Sequence, residues 1–483
     1  MKKFLLGLIA VCLLSLPVPA GSIDELERQV SSPATETHGD LAFGYGAGSH
    51  LTGFWAKKVD SAPAANPTIA FIGCTNSASD LTTYTFSGHS VGATGTDRKT
   101  LVMVGVEDSA TEVWTTALTV GGDAASPLNG NRTTAALTTV DAWILDNPAG
   151  TSEDIVVTAS EAATAMTVCV WSITDLTSII PIEHTFTLGQ SGASISMAPK
   201  TADFSVSAGM CVADSGTAGF NWTGFTESAD ANGEFQWSAA TFTEDTGEEP
   251  KSVTCDTVSD AVNSAGVAVT FGNGTEVRAY LTSCVVSNTA LTTYTLANAG
   301  VGMPDANRLS VVQFGVEDGA TNFNFSSATI GGTSMTEVNE TATVGLEEAA
   351  TYQVVNTAGH IEDVAVTMSE AVTNASACVF AVYNLNSTTA TGQTTGANTT
   401  AASQAVNINT TAGGVALASC FAHETGLTNT WSGVVAWGTF SNGGAMYSAG
   451  LQRPLATTET PRSISCDYSG TTADVAATAV AYQ

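Results

Sequence analysis

The sequence predicts an all-β protein of four tandem antiparallel β-sandwiches, of jelly-roll or immunoglobulin-like type, arising from a duplicated two-domain unit. Three observations predict it. Charged residues make up only 12% of the 483, while Thr, Ser, Ala, Gly and Val abound, a supply suited to short strands and small-residue turns rather than amphipathic helices. Apolar runs alternate at period two and are broken by Gly, Asn, Asp and Pro clusters, as in sandwich strands. The chain also repeats itself: "LTTYTF" at 81–86 returns as "LTTYTL" at 291–296, "LTVGG" at 118–122 as "ATIGG" at 328–332, and "SEDIVVTASEA" at 152–162 as "IEDVAVTMSEA" at 361–371, each 209 or 210 residues later. A period that long is a duplicated pair of domains.

The elements follow in chain order. Residues 1–20 read as an export signal: Lys2 and Lys3, an apolar run from Phe4 to Leu16, then small residues before a cut after Ala20. The run is too short to span a bilayer; the alternative is a membrane-anchoring or virion-embedded N-terminus. Residues 21–66, with "GYGAGS" and "SAPAANP", form a linker-like lead-in. Sandwich 1 is expected over 67–178, from strand runs such as "TIAFIG", "KTLVMVGV" and "MTVCVWSI"; sandwich 2 over 179–273, from "FSVSAGMCVAD" and "AGVAVTF". Sandwiches 3 (277–387) and 4 (388–483) repeat them, with "SACVFAV" at 376–382 answering "TVCVWSI" at 167–173.

The net charge of −31 repels nucleic acid and anionic membranes and favours solubility through self-repulsion. A nucleic-acid partner is excluded on this ground, and no membrane span is expected in the mature chain. Eight cysteines follow the signal and obey the repeat, so one disulfide per sandwich is expected: Cys74–Cys169, Cys211–Cys255, Cys284–Cys378 and Cys420–Cys466. The alternative is eight buried thiols. Zinc is disfavoured, because no Cys-x-x-Cys or Cys/His cluster is present.

The motif "GVEDSAT" at 105–111 recurs as "GVEDGAT" at 315–321. Its carboxylates, Glu107 and Asp108, then Glu317 and Asp318, are adjacent, and neighbours on a strand point to opposite faces. Glycosidic acid/base work needs two carboxyls facing each other across roughly 5–10 Å, so the motif reads as a strand end. Calcium, which takes loop oxygens as its ligands, is the one cofactor it could hold, joined by Glu153, Asp154, Glu161, Glu362, Asp363 and Glu370. None of the six histidines has a counterpart at the repeat offset, which excludes a His-based catalytic site shared by both copies. Trp222 and Trp431 are retained near turns, where they serve as structural indoles or as platforms for a glycan. The acidic stretch 227–249, with Glu234 and Glu244, keeps almost none of its acids in the second copy; a glycan-degrading site there is the least favoured reading.

The succession of "LTTYTF", "RKTLVMVGV", "LTVGG" and "EDIVVTASEAATAMTVCVWSI", followed by "SAGMCVADSG", "FNWTGFTES", "FQWSAAT" and "AGVAVTF", resembles a β-sandwich module of predicted structural proteins of tailed bacteriophages, such as appendage and decoration proteins. It covers nearly all of 67–483, twice. The resemblance implies a non-enzymatic structural or adhesive role and carries no catalytic residue. The export signal departs from that group, which leaves a secreted or cell-surface protein as the companion reading. Either way the expected location is extracellular. The expected partners are further copies, other structural proteins or surface glycans, and the alternative function is secreted carbohydrate binding.

Overall fold

The computed structural model describes, of residues 65–483, all but 96, 109–112, 129–136, 147, 191–193, 198–204, 215–218, 232–234, 245–250, 258–262, 274–275, 288, 318–323, 342–346, 357–358, 360, 400–402, 423–427, 443–444, 453–454 and 471–473. The expected signal, nearly all of the lead-in, and Asp318 and Glu234 therefore lie outside the described residues. Residues 66–483 form one compact unit. Among the described residues the regular elements are strands throughout, and all their pairings are antiparallel, as the composition predicts.

Eight sheets are built, four per copy. In hydrogen-bonding order, sheet A holds Thr68–Ser77, Ala165–Thr174, Lys99–Glu107, Thr138–Asp146 and Ser126–Pro127, and sheet B holds Leu81–Ser90, Ser152–Ala163, Thr115–Val120 and Asp123–Ala124. Sheet C holds Glu183–Gln190, Asn263–Phe271, Ser205–Asp214, Phe235–Glu244 and Thr226–Ala231; sheet D holds Ser194–Met197, Val253–Thr257 and Phe220–Thr223. The second copy repeats them. Sheet E is Arg278–Ser287, Asn374–Tyr383, Leu309–Glu317, Glu347–Val355 and Thr336–Glu340; sheet F is Leu291–Gly300, Ile361–Val372, Phe325–Ile330 and Thr333–Ser334. Sheet G is Gly392–Thr399, Asp474–Tyr482, Val415–Ala422, Ala445–Gln452 and Val435–Asn442; sheet H is Ser403–Thr410, Glu459–Tyr468 and Asn429–Ser432.

Three cores run through each copy. In the first, Val102, Val104, Val106 and Val168 pack onto Tyr84, Val120 and Val157 between sheets A and B. Leu101, Met103, Cys169 and Trp171, on the other face of sheet A, pack onto Val206, Met210, Val212 and Val267 of sheet C. Cys211, Ala213 and Ala240 then face Phe220, Val253 and Cys255 of sheet D. The second copy layers F, E, G and H in the same way. Sheets A, C, E and G are thus covered on both faces. Thr100–Val106 and Ala165–Ile173 are buried at every residue, whereas Leu81–Ser90 alternates as an outer strand must. The expected period-two alternation holds on outer sheets and fails on inner ones. At roughly 1.5–3 kcal/mol per fully buried Val, Leu or Phe, the A–C and E–G seams add driving force that separate sandwiches would lack.

One residue of the "GVED" motif makes these seams possible. A Cβ on Gly105 would lie 2.5 Å from Val212 Cγ1 and 3.0 Å from Met210 Cε, and one on Gly315 would fall within the Phe421 ring. Glycine inside a strand marks such a close approach.

The copies meet at a buried junction. Arg278 donates from Nη1 to the Ile180 carbonyl and from Nη2 to the Gly272 carbonyl at 2.9 Å. The His184 ring stands edge-on to Tyr280 at 4.5 Å, Tyr280 donates to Tyr383 Oη at 2.9 Å, and Tyr383 donates to the Met303 carbonyl at 3.0 Å.

Disulfides join Cys74 to Cys169, Cys284 to Cys378 and Cys420 to Cys466. The first two link residues directly opposite on neighbouring strands, and the third links sheet G to sheet H. The expected Cys211–Cys255 bridge needs correction: both residues are buried free thiols, in hydrogen-bonding contact between sheets C and D. Burial first, then the Cys255 contact, pushes the Cys211 thiol well up. The thiolate that initiates disulfide formation is suppressed there.

Candidate functional site

The repeated polar motifs are where a shared site would lie, and the structure gives each an internal partner. The "LTTYT" tyrosines, Tyr84 and Tyr294, are 1% exposed and donate to the carbonyls of Ala163 and Val372 at the ends of the longest strands. The "GVED" motif ends its strand at Glu107 and at Glu317. The Glu107 carbonyl accepts from Thr164 N at 3.0 Å and Thr164 Oγ1 at 2.9 Å; that of Glu317 accepts from Thr373 N and Oγ1, both at 2.9 Å. Asp108 N donates to the Leu137 carbonyl at 2.9 Å. Glu107 is the last residue of its strand and half-buried, and Asp108 follows it outside the strand and is buried. Among the described residues no group of three or more His, Cys, Asp or Glu side chains is disposed to hold a metal ion.

A cage of carbonyls suited to a cation does exist, and its cation is built in. Arg98 is fully buried; its Nη1 donates to Gly92 O at 2.8 Å and Ala93 O at 3.1 Å, and its Nη2 to Pro148 O and to Gly150 O at 2.7 Å. Burial pushes the guanidinium below its ordinary value, and the Glu153 carboxylate opposes that. Glu153 lies in a notch that glycine leaves: a Cβ on Gly121, at φ +62°, would sit 2.6 Å from Glu153 Oε2. Beside it Asp154 Oδ1 accepts from Gly88 N at 2.8 Å. In the second copy Arg308 donates to Gly302 O at 2.7 Å and Gly359 O at 2.9 Å. Glu362 occupies the notch at Gly331 and Gly359. A fixed cation on a tether replaces a free one at no translational cost on binding.

Trp222 and Trp431 are half-buried. Their Nε1 atoms donate to Ser238 Oγ at 2.8 Å and Ser448 Oγ at 2.7 Å, and each indole packs on a glycine of the facing sheet, Gly209 or Gly450. Those glycines are not repeat equivalents. Gly209 pairs across the strands with Ala240, and Ala418 pairs with Gly450, so the Gly–Ala pair is kept and its order reversed. Each pair supplies room for one indole through one missing methyl.

In the acidic stretch, Glu244 is paired with Lys251 at 3.3 Å, whose Nζ stands 3.9 Å from the Phe242 ring centre. Burial first, then Asp230, raises the Glu227 carboxyl. No arrangement of two carboxyls facing across a cleft emerges among the described residues of this stretch. Arg98, Arg308, Gly105 and Gly315 were the residues that pattern reading passed over. Their signal was present, since each pair lies 210 residues apart. No protein-family model matches the chain, and no curated protein matches it.

Proposed function

We propose that this chain is a non-enzymatic structural or adhesive protein of a virion or cell surface, built from four β-sandwiches and forming an appendage, fibre or decoration. The observation that carries the proposal is the fate of the duplicated polar residues. Tyr84 and Tyr294, Arg98 and Arg308, Glu153 and Glu362, and Trp222 and Trp431 spend their hydrogen-bonding groups or their faces on the protein itself. Duplication has thus preserved what holds layers together. Three disulfides fit an oxidising, extracellular setting. The likeness to tailed-phage sandwich modules points the same way.

Immunogold electron microscopy with antibodies to residues 67–483 tests the reading on intact particles or cells of the source. Gold on the outer surface is expected, and gold confined to the cell interior refutes it. Release of reducing ends from a polysaccharide by the purified chain refutes the non-enzymatic part.

A further inference from the structure

Between sheets E and G the second copy buries a carboxyl that the first copy lacks. Glu347, at the start of Glu347–Val355, is 1% exposed, and neither Oε1 nor Oε2 has a hydrogen-bond partner of ordinary geometry. It lines a cavity of about 10 Å³ with Glu317, Asn374, Phe421 and Tyr447. That space is about one water wide. Glu317 faces it directly on the neighbouring strand, with Asn374 on the far side, and Asn374 Nδ2 donates to Glu317 Oε2 at 2.6 Å.

The groups that act on Glu347 are acids and phenols. Glu317 faces it from sheet E and Asp474 from sheet G. Tyr447 of sheet G borders the cavity, and the Tyr468 phenol of sheet H, itself without a hydrogen-bond partner, feels its charge. Glu348 is the next residue along the strand and belongs to the opposite face, where it meets Glu340. Burial first, then Glu317 and Asp474, holds the Glu347 carboxyl well above the usual range, with the Ala476 amide as the one opposing group. The first copy has Thr138 opposite Glu107, Ala165 beside it and Asn263 at the start of the facing strand.

An ionised carboxylate in this place would have two like charges near it and, among the described residues, no cation acting on it, which disfavours the charged form. No metal-holding cluster is present among the described residues to offset it. A proton is the remaining counter-charge, and it removes the charge that burial and the neighbouring acids oppose.

We propose that Glu347 is a proton-held lock on the E–G seam, so that ionisation of this residue loosens the second copy's layers, a response that sheet A of the first copy, with Thr138 in that place, does not share. The sign follows from linkage. A carboxyl whose value is raised in the folded state contributes stability that is complete below the ordinary carboxylate range and lost as pH rises through the folded-state value. Within that window the ratio of open to closed seam grows up to tenfold per pH unit.

Hydrogen–deuterium exchange of the full chain between pH 5 and pH 9, corrected for intrinsic rates, reads both seams at once. Peptides covering 309–317, 347–355 and 474–482 are expected to open with rising pH, by up to tenfold per unit, while 99–107 and 138–146 stay level. Glu347→Gln, and separately Glu347→Thr, the residue the first copy carries, are expected to flatten the second copy's response. Equal pH dependence in both copies overturns the proposal, and so does a response that survives either substitution. Should neither variant fold, the wild-type comparison of the two seams decides alone. Protection restored at pH 9 by millimolar calcium or magnesium also overturns it, in favour of a cation site.

Discussion

Gly209→Ala places a methyl 2.9 Å from Trp222 Cη2 and 3.2 Å from the Phe225 ring, inside the core between sheets C and D. Overpacking of this kind costs about 1–3 kcal/mol. The upper part of that range applies, because the indole cannot back away without stretching its 2.8 Å bond to Ser238, itself worth about 1 kcal/mol. Ala240→Gly alone removes a buried methyl, at about 0.8 kcal/mol, and adds roughly 0.5–1 kcal/mol for glycine in a strand. Independent effects would sum to about 4 kcal/mol. The double variant, however, recreates the order that Ala418 and Gly450 adopt around Trp431, so it should recover about 2 kcal/mol of that sum as coupling. Denaturant midpoints of the wild type, both single variants and the double variant, at unchanged slope, measure it. Additivity within about 0.5 kcal/mol would refute the one-methyl account of the indole seats.

Other expectations follow from the same contacts. Gly315→Ala should lower the denaturation midpoint more than Gly105→Ala, since its methyl falls within the Phe421 ring, overlapping three ring carbons, whereas that of Gly105 meets one Val212 methyl at 2.5 Å and the end of flexible Met210; the ordering matters within an overpacking range of about 1–3 kcal/mol. Arg98→Met leaves the carbonyls of Gly92, Ala93, Pro148 and Gly150 short of a donor, so calorimetry should register a loss of about 3 kcal/mol or more. Removing the Cys74–Cys169 bridge, which spans 95 residues, should cost about 4–5 kcal/mol in the chain-entropy account. Thiol alkylation after unfolding without reductant should label Cys211 and Cys255 and no other cysteine in 67–483.

The strands and the duplication were legible because both are local matters of pattern: "LTTYT" and "TVCVWSI" carry their period and their copy in the letters. The layering was harder to read. "TLVMVGV" and "MTVCVWSI" are apolar on both faces, the mark of a strand covered twice, yet they pass for alternating strands if only one face is expected to be buried. The fate of the candidate residues depended on distant partners. Nothing beside Glu107 announces Thr164, and nothing beside Trp222 announces the glycine 13 residues earlier in the next sheet. Nothing in the letters around Glu347 announces that the Val415–Ala422 and Asp474–Tyr482 strands close over it.

The double-sided burial of sheets A and E bears on how such a chain could have been inherited. A fragment ending near residue 178 would bare Leu101, Met103, Trp171 and Ile173, an aggregation-prone slab in water. The four-sheet block of about two hundred residues is the smallest repeated piece in which both faces of an inner sheet are covered. Recombinant dissection meets the same limit: a cut near 179 bares the whole A–C seam, while a cut near 274–277 bares the smaller junction around His184, Tyr280 and Tyr383.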